Sequence, residues 1–397
     1  MSNLKIFSEN IKIYNKRVIV RLDLNVPISK SSIEDSTRIE MIEPFINQLI
    51  EKKAKIILIS HLGRPKGKVV KEMSLNPIFN YLQKSLNSKV YFYKDKIDQK
   101  AIDASNSLKQ GEVLLIENIR FFKEEEDDNE NFAKSLSKLG DFYINEAFSC
   151  SHRKQASLHK ITNYIDSYGG PLLDKDTRSI NLIIKNKKEP VTSIIGGSKV
   201  STKINVLLNL SKNTNNLVIV GAMANNFLKF NGLNVGASLL EKGAEDIIKS
   251  IYSSAEKNNC KIIIPIDCIV SNDLSGLPKP KSLSEIKSED IILDIGEKTI
   301  ELINKIIELS KTVFWNGHAG YFENKNFSKG TLAIAKKISS DTDTKSLISI
   351  VGGGDTIAAL KNVEFRKVFT HLSTAGGAFL ESLEGKELPG IKVLKKN

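Results

Sequence analysis

Short β-branched runs alternate with longer amphipathic stretches along this whole chain, and that alternation restricts its fold more than any other feature. The runs predict strands over residues 17–25, 55–61, 90–93, 112–117 and 142–147. A second series falls at 191–195, 217–220, 262–266, 312–315, 347–351 and, briefly, near 369–371. Between them, apolar residues at three-to-four spacing predict helices over 37–53, 132–139, 200–210 and 297–309. Strands alternating with helices make βαβ units and mostly parallel sheets, hence an α/β fold. Near-continuous apolar strands such as KIILIS and KIIIPI suit sheets covered on both faces. Almost every run leads into a polar or glycine-rich string, and open α/β sheets bind ligands beyond the carboxyl ends of their strands. No internal repeat is visible.

A chain of 397 residues exceeds what one core usually supports, so two lobes are expected. Glycines and a proline break the pattern at YGGPLLDKD, residues 168–176, which is the expected hinge. The acidic run at 124–128 reads as a helix start, its charges favouring the positive end of the dipole. No stretch approaches the roughly 18–20 apolar residues of a membrane span, and MSNLKIFSEN has no secretory pattern. Three cysteines without CxxC spacing fit reduced thiols in the cytoplasm rather than structural zinc. The formal charge of +12 comes from lysines scattered through nearly every segment, with no basic block of five. That distribution argues against nucleic acid as a partner and fits either small acidic substrates or a plain compositional bias.

Arginine is distributed differently. Only eight of the 58 basic residues are Arg, and seven of them precede residue 179. A lysine-rich composition keeps Arg mainly where a flat fork is hard to replace. In RLDLNVP, Arg21, Asp23 and Asn25 alternate on one strand face and point to a cleft, unless Arg21 and Asp23 are only a structural pair. SHLGRP, ENIRFF and CSHRKQ each place an arginine (Arg64, Arg120, Arg153) after an apolar run, with His61 beside the first. Several guanidiniums on one strand edge can bind phosphate and carboxylate bidentately; a turn at GRP and snorkelling by Arg120 are the plainer readings.

The second half carries glycine runs instead. GGSKVSTKI follows a strand and opens a helix, with Lys199 and Lys203 four apart on one expected face. It matches neither a Walker loop nor a dinucleotide fingerprint. In VGGGDT three glycines are costly in regular structure, by roughly 0.5–1 kcal/mol each, so their amides are expected to line a surface. Asp355 there is either an N-cap or a Mg²⁺ ligand. STAGGA repeats the pattern, and WNGHAGYFE holds Asn316, the only Trp, and Glu323 as a candidate ribose acceptor.

Taken in order, RLDLNVP, SHLGRPKG, ENIRF, GGSKVSTKI, VFWNG, GGGDT and HLSTAGGA resemble the phosphoglycerate kinase family over essentially the whole chain. The resemblance implies two Rossmann-like lobes that close about a hinge, and Mg²⁺-dependent, reversible phosphoryl transfer from 1,3-bisphosphoglycerate to ADP, giving ATP and 3-phosphoglycerate. It implies a glycerate lobe over 1–168 with a returning tail at 384–397, and a nucleotide lobe over 169–383. Asp23, Asn25, Arg38, His61, Arg64, Arg120 and Arg153 would hold the glycerate. Lys199, Lys203, Asn316, Glu323, Gly352, Gly353, Gly354, Asp355 and Thr356 would hold the nucleotide, with Asp355 on its metal. Arg38 and Lys199, helped by amides near Gly353 and Gly376, would neutralise the transferring phosphoryl; Arg21 would be structural. The acceptor carboxylate titrates at about 3–4, so the reaction needs no general base and His61 would act as a ligand. The family also implies a cytoplasmic monomer.

Some positions depart from the family pattern. Glu146, Ser149, Cys150 and Gln155 stand where Asp, Gly, Thr and His are expected, and His318, Ala319, Tyr321, Ala222 and Ala375 replace other residues beside the nucleotide strings. They leave open an alternative, a weakened homologue acting as a nucleotide-binding or interaction protein. Retention of Arg38, Lys199, Lys203 and Asp355 together argues against it.

Overall fold

The computed structural model describes residues 4–29, 32–360 and 368–396; the eighth arginine, Arg366, lies outside them. The chain divides into two compact units, Met1–Thr177 with Glu387–Asn397, and Arg178–Lys386. The division falls within a helix and not at the glycines of residues 168–170, and the tail joins at Glu387 rather than residue 384.

In the first unit β1 (Arg17–Arg21), β2 (Lys55–Ile59), β3 (Val90–Tyr93), β4 (Val113–Ile116), β5 (Phe142–Asn145) and β6 (Asp166–Gly169) form one parallel sheet. Its order is β3-β4-β2-β1-β5-β6, with Arg21 level with Ile59 and Asn145. The strands are buried as their apolar runs require: Val18, Ile19, Val20 and Ile56 through Ile59 are all inaccessible. Helix α1 (Thr37–Glu51) buries Ile39, Ile42, Phe45, Ile46 and Leu49 at helical spacing. The strand expected over 17–25 ends at Arg21. Leu22 N–H still bonds Ile59 O at 2.9 Å, and beyond it the backbone turns to bond Asp23 and Ser60 side chains instead. The tail returns to this unit: Leu4 pairs with Lys395, and Gly390 N–H donates to Ser151 O at 2.9 Å. Helix α2 (Pro171–Ile184) occupies most of the expected hinge, its proline at the first helical position.

In the second unit β7 (Val191–Ile195), β8 (Asn216–Ile219) and β9 (Lys261–Ile263) are followed by β10 (Asp267–Ser271), β11 (Lys279–Ser282) and β12 (Ile291–Ile295). Then come β13 (Thr312–Asn316), β14 (Ile348–Gly352) and β15 (His371–Ser373). The main sheet is parallel in the order β9-β8-β7-β13-β14-β15, while β11-β10-β12 form a separate antiparallel sheet. The strand expected over 262–266 stops before Pro265, which has no N–H for a ladder, and the chain re-enters as β10. The helix expected over 200–210 begins as a 3₁₀ turn, Ser201–Lys203, and becomes α3 (Ile204–Asn213) only afterwards. Helices α4 (Glu297–Leu309), α5 (Gly354–Ala359) and α6 (Gly376–Leu383) complete the elements that position the site.

Strand order reverses beside β1 in the first sheet and beside β7 in the second. Such reversals open a crevice at the carboxyl ends of the strands, where open α/β sheets bind ligands.

Candidate active site

In the first unit the candidate ligands gather around the reversal between β1 and β5. Arg21 ends β1 fully buried, donating Nε to Ser157 Oγ at 2.9 Å and a further N–H to Leu22 O. Buried Glu125 accepts from Ser157, so Arg21 is a structural member of a buried network. Asp23 accepts from Arg38 Nη1 at 2.7 Å, from the Ser149 hydroxyl, and from Asn25 N–H at 3.0 Å. Arg38, on the first turn of α1, also bonds Asn25 O at 3.1 Å. The SHLGRP loop is tied from both sides: Gly63 N–H donates to Asn25 Oδ1 at 2.8 Å, and Arg120 Nη1 donates to Gly63 O at 2.9 Å. Gly63 has φ +62°, a conformation that glycine adopts without strain. Held this way, the loop leaves Arg64 exposed, with no ion pair or hydrogen bond among the described residues. Arg153 is half-buried, its Nε donating to His152 at 3.2 Å.

Charge in this cluster is lopsided toward the guanidiniums. Burial pushes the Asp23 carboxyl up, but Arg38, His61 and the hydrogen bonds from Ser149 and Asn25 outweigh it and hold it below the ordinary range. Burial takes His61 well below its usual pKa; Asp23 opposes that, and Arg21, Arg120 and Arg38 add to it. His61 is therefore neutral near pH 7 and can accept or donate a hydrogen bond, consistent with a ligand role. Arg120 is buried and its Nε has no partner, a donor left over after Gly63 is held.

In the second unit the reversal lies between β7 and β13. Gly196 and Gly317 cross there so closely that a Cβ on Gly317, whose φ is +102°, would sit 2.3 Å from Gly196 O. Lys203 Nζ donates to Gly196 O at 2.5 Å and Asn316 Oδ1 at 2.8 Å, while Asn316 Nδ2 donates to Gly352 O at 2.8 Å. Burial brings the Lys203 ammonium down to about 8, with Asp355 resisting. Thr356 is buried, accepting from Gly317 N–H at 2.7 Å and donating to Gly352 O at 3.0 Å. Asn316 and Thr356 thus lock the VGGGDT loop against the WNG loop. Asp355 and Gly354 are exposed, and a Cβ on Gly354 or Gly376 would meet nothing within 4 Å. Lys199 is exposed and lies in non-helical backbone before the 3₁₀ turn Ser201–Lys203, so it does not share a helical face with Lys203 as the spacing suggests. Beside the crossing lies a cavity of about 380 Å³ walled by Ala222, Leu239, Leu293, Tyr321, Glu323 and Asp355 among others. Its size and mainly apolar wall suit a flat ring with a polar edge.

The departures from the family pattern find places. Glu146 accepts from Leu172 N–H (3.2 Å) and Leu173 N–H (2.9 Å), capping α2. Ala375 is buried with φ −81°, so its methyl requires no left-handed backbone. His318 Nδ1 pairs with Gly320 O at 2.6 Å, its ring 4.8 Å from Phe322. Two supports have no clear sequence signal. Asn118 ties Leu62 O (2.7 Å) to Met73 O (2.9 Å), and buried Asp294 accepts from Gly330 and Ile295 N–H. Burial pushes Asp294 up to about 7 despite those bonds.

Comparison with known proteins shows the family. The family model described as phosphoglycerate kinase matches residues 8–386. Phosphoglycerate kinases of Wolbachia pipientis wMel and Bartonella bacilliformis are 43% and 44% identical to this chain. The alignments cover 98% and 96% of each sequence. A solved phosphoglycerate kinase structure from Coxiella burnetii matches with TM-score 0.88 at 38% identity, covering 98% of both chains. With two α/β units each built on a parallel sheet, arginines beyond the strand ends of one and glycine runs beyond those of the other, the chain belongs to the phosphoglycerate kinase family.

Proposed function

We propose that the first unit holds the glycerate substrate through Asp23, Asn25, Arg38, His61, Arg64, Arg120 and Arg153, and that the second holds ADP or ATP. The reaction is the family's: reversible phosphoryl transfer between 1,3-bisphosphoglycerate and ADP. The observation that carries the assignment is that each residue set lies at the strand-order reversal of its own sheet, forks on one and glycine amides on the other.

The residues support a division of labour. Arg64 and Arg153 offer forks for the distal phosphate, while Arg38, positioned by Asp23, serves the end where transfer occurs. Asn25 and Arg120 act mainly by holding the Gly63 loop, and Asn316 and Thr356 by holding Gly352. Lys203 and Lys199 face the polyphosphate, with amides of Gly353, Gly354 and Gly376. Glu323, on the cavity wall, takes the ribose. Mg²⁺ binds through one or two carboxylates plus substrate phosphates and keeps several waters; one exposed Asp355 fits that pattern for a Mg-nucleotide. When bound, the ion neutralises charge on the nucleotide phosphates. The leaving or attacking carboxylate is ionised without help, so catalysis rests on alignment and cationic stabilisation of charge spread over the phosphoryl oxygens.

Transfer requires the two substrates to meet with water excluded, so the units close during turnover, with α2 and the returning tail as the hinge. The enzyme acts as a cytoplasmic monomer. Calorimetry on single variants tests the assignment. Arg64→Ala should weaken 3-phosphoglycerate at least tenfold and leave Mg-ADP unchanged, and Lys203→Met should do the reverse. The opposite pattern, or equal losses of both ligands, would overturn it. Small-angle scattering that found no compaction with both substrates bound would refute closure.

A further inference from the structure

We propose that Asp23, His61 and Cys150 form a site for a thiophilic divalent cation, Zn²⁺, in the wall of the anion grip, and that the metal and the glycerate exclude each other there. The metal site rests on geometry alone; the exclusion rests on the placement of glycerate in the first unit.

One ligand atom from each of these residues lies within 4.8 Å of the other two, and among the described residues this is the only such cluster of three. Cys150 Sγ is 3.8 Å from both ring nitrogens of His61. Zinc–sulfur and zinc–nitrogen bonds at a tetrahedral angle set sulfur and nitrogen about 3.5 Å apart, close to the distance seen; because Sγ is equidistant from the two ring nitrogens, the imidazole must also turn to aim one of them at the metal. Arg21 approaches His61 Nδ1 at 3.5 Å, the limit of a hydrogen bond, and so does not lock one tautomer. Three protein donors leave the fourth tetrahedral position open to water.

The charge around the cluster selects the kind of cation. Arg21, Arg38 and Arg120 all act on His61, so an ion held by charge alone meets repulsion. Mg²⁺ and Ca²⁺ also want six or more oxygens, and this cluster offers one carboxylate. Zn²⁺ gains strong bonds to sulfur and nitrogen instead. As the zinc–sulfur bond forms, the thiol proton leaves to solvent; the thiolate, the Asp23 carboxylate and Zn²⁺ then sum to zero. Arg38 must release Asp23 for this to happen, and its side chain is partly solvent-exposed. Neither other thiol belongs to such a cluster among the described residues: Cys260 lies near Thr214, and Cys268 near Lys281 O with Asp267 and Asp290 acting on it. Because the same Asp23 and His61 serve the grip, a bound metal blocks the glycerate.

The full-length protein, reduced by a phosphine, is titrated with Zn²⁺ against a chromophoric chelator and with Co²⁺ as a spectroscopic probe. One equivalent should bind, and Co²⁺ should show a thiolate-to-cobalt charge-transfer band. Cys150→Ser should weaken Zn²⁺ at least tenfold and abolish the band, whereas Cys260→Ser should change neither. His61→Gln supplies a second variant with the same expected loss. Absence of a stoichiometric site, or binding and a cobalt band that survive Cys150→Ser or His61→Gln, overturns the metal site. Saturating 3-phosphoglycerate should weaken Zn²⁺ at least tenfold. If it does not while the cysteine dependence holds, the exclusion is wrong and the metal site stands.

Discussion

Arg38→Lys keeps a positive charge beside Asp23 and removes the fork. In the structure a single amino group of Arg38 already serves Asp23 Oδ2 at 2.7 Å and Asn25 O at 3.1 Å. A guanidinium has five N–H donors in a rigid plane whose fork matches a phosphoryl group bidentately. An ammonium has three donors radiating from one point and offers no such fork. The variant therefore loses at least one charge-assisted hydrogen bond in the transition state, about 1.5–3 kcal/mol, which lowers kcat/KM about 10- to 150-fold. Stability should change by about 1 kcal/mol or less, because Asp23 keeps Ser149 and the Asn25 N–H as partners and the Arg38 side chain is 27% exposed. The assay is ATP formation from 1,3-bisphosphoglycerate at saturating Mg-ADP, alongside urea unfolding of both proteins. Turnover within twofold of the unaltered enzyme, at matched stability, would show that charge alone suffices and refute the fork argument.

The glycine crossing should separate stability from binding. Gly317→Ala places a Cβ 2.3 Å from Gly196 O at φ +102° and should cost about 3 kcal/mol in urea unfolding. Gly376→Ala meets nothing within 4 Å, should cost about 0.5 kcal/mol or less, and should raise the KM for ADP; equal destabilisation by the two would contradict the geometry. Lys203, brought down to about 8 by burial, should regain its proton when phosphates bind. Calorimetry of Mg-ADP binding above pH 8 in two buffers should then show proton uptake that Lys203→Met abolishes, and buffer-independent heats would count against the assignment. Burial pushes Glu146 up to about 8 from 4.5, so the folded state keeps a proton that the unfolded chain releases. That contribution, up to about 5 kcal/mol, is complete below the unfolded value and fades as pH rises toward 8. Glu146→Gln should flatten the fall in unfolding free energy over that window, and an unchanged slope would refute it.

Both parallel sheets were legible because their signal is local. A run such as KIILIS needs cover on both faces wherever it sits, and the helices between the runs supply it. The antiparallel sheet was not legible: its edge strand β11, KPKS, has no apolar run and becomes a strand only because β10 pairs with it. The site divides along the same line. Residue types marked the candidates, since forks and glycines are costly to keep without a use. Their roles depend on partners far along the chain. Asn25 and Arg120 read as ligands, yet each spends a hydrogen bond on Gly63, and that restraint is what leaves Arg64 exposed. Lys199 and Lys203 read as twins at helical spacing, but Lys199 lies in exposed backbone before the helix starts, while Lys203, at the end of the 3₁₀ turn, is held against Gly196 and Asn316. The positions where local expectation failed are thus the ones where a loop is held by a residue from another strand. A ligand set at the end of a sheet needs that kind of restraint, because a strand end supplies no ladder of its own to fix the side chains beyond it.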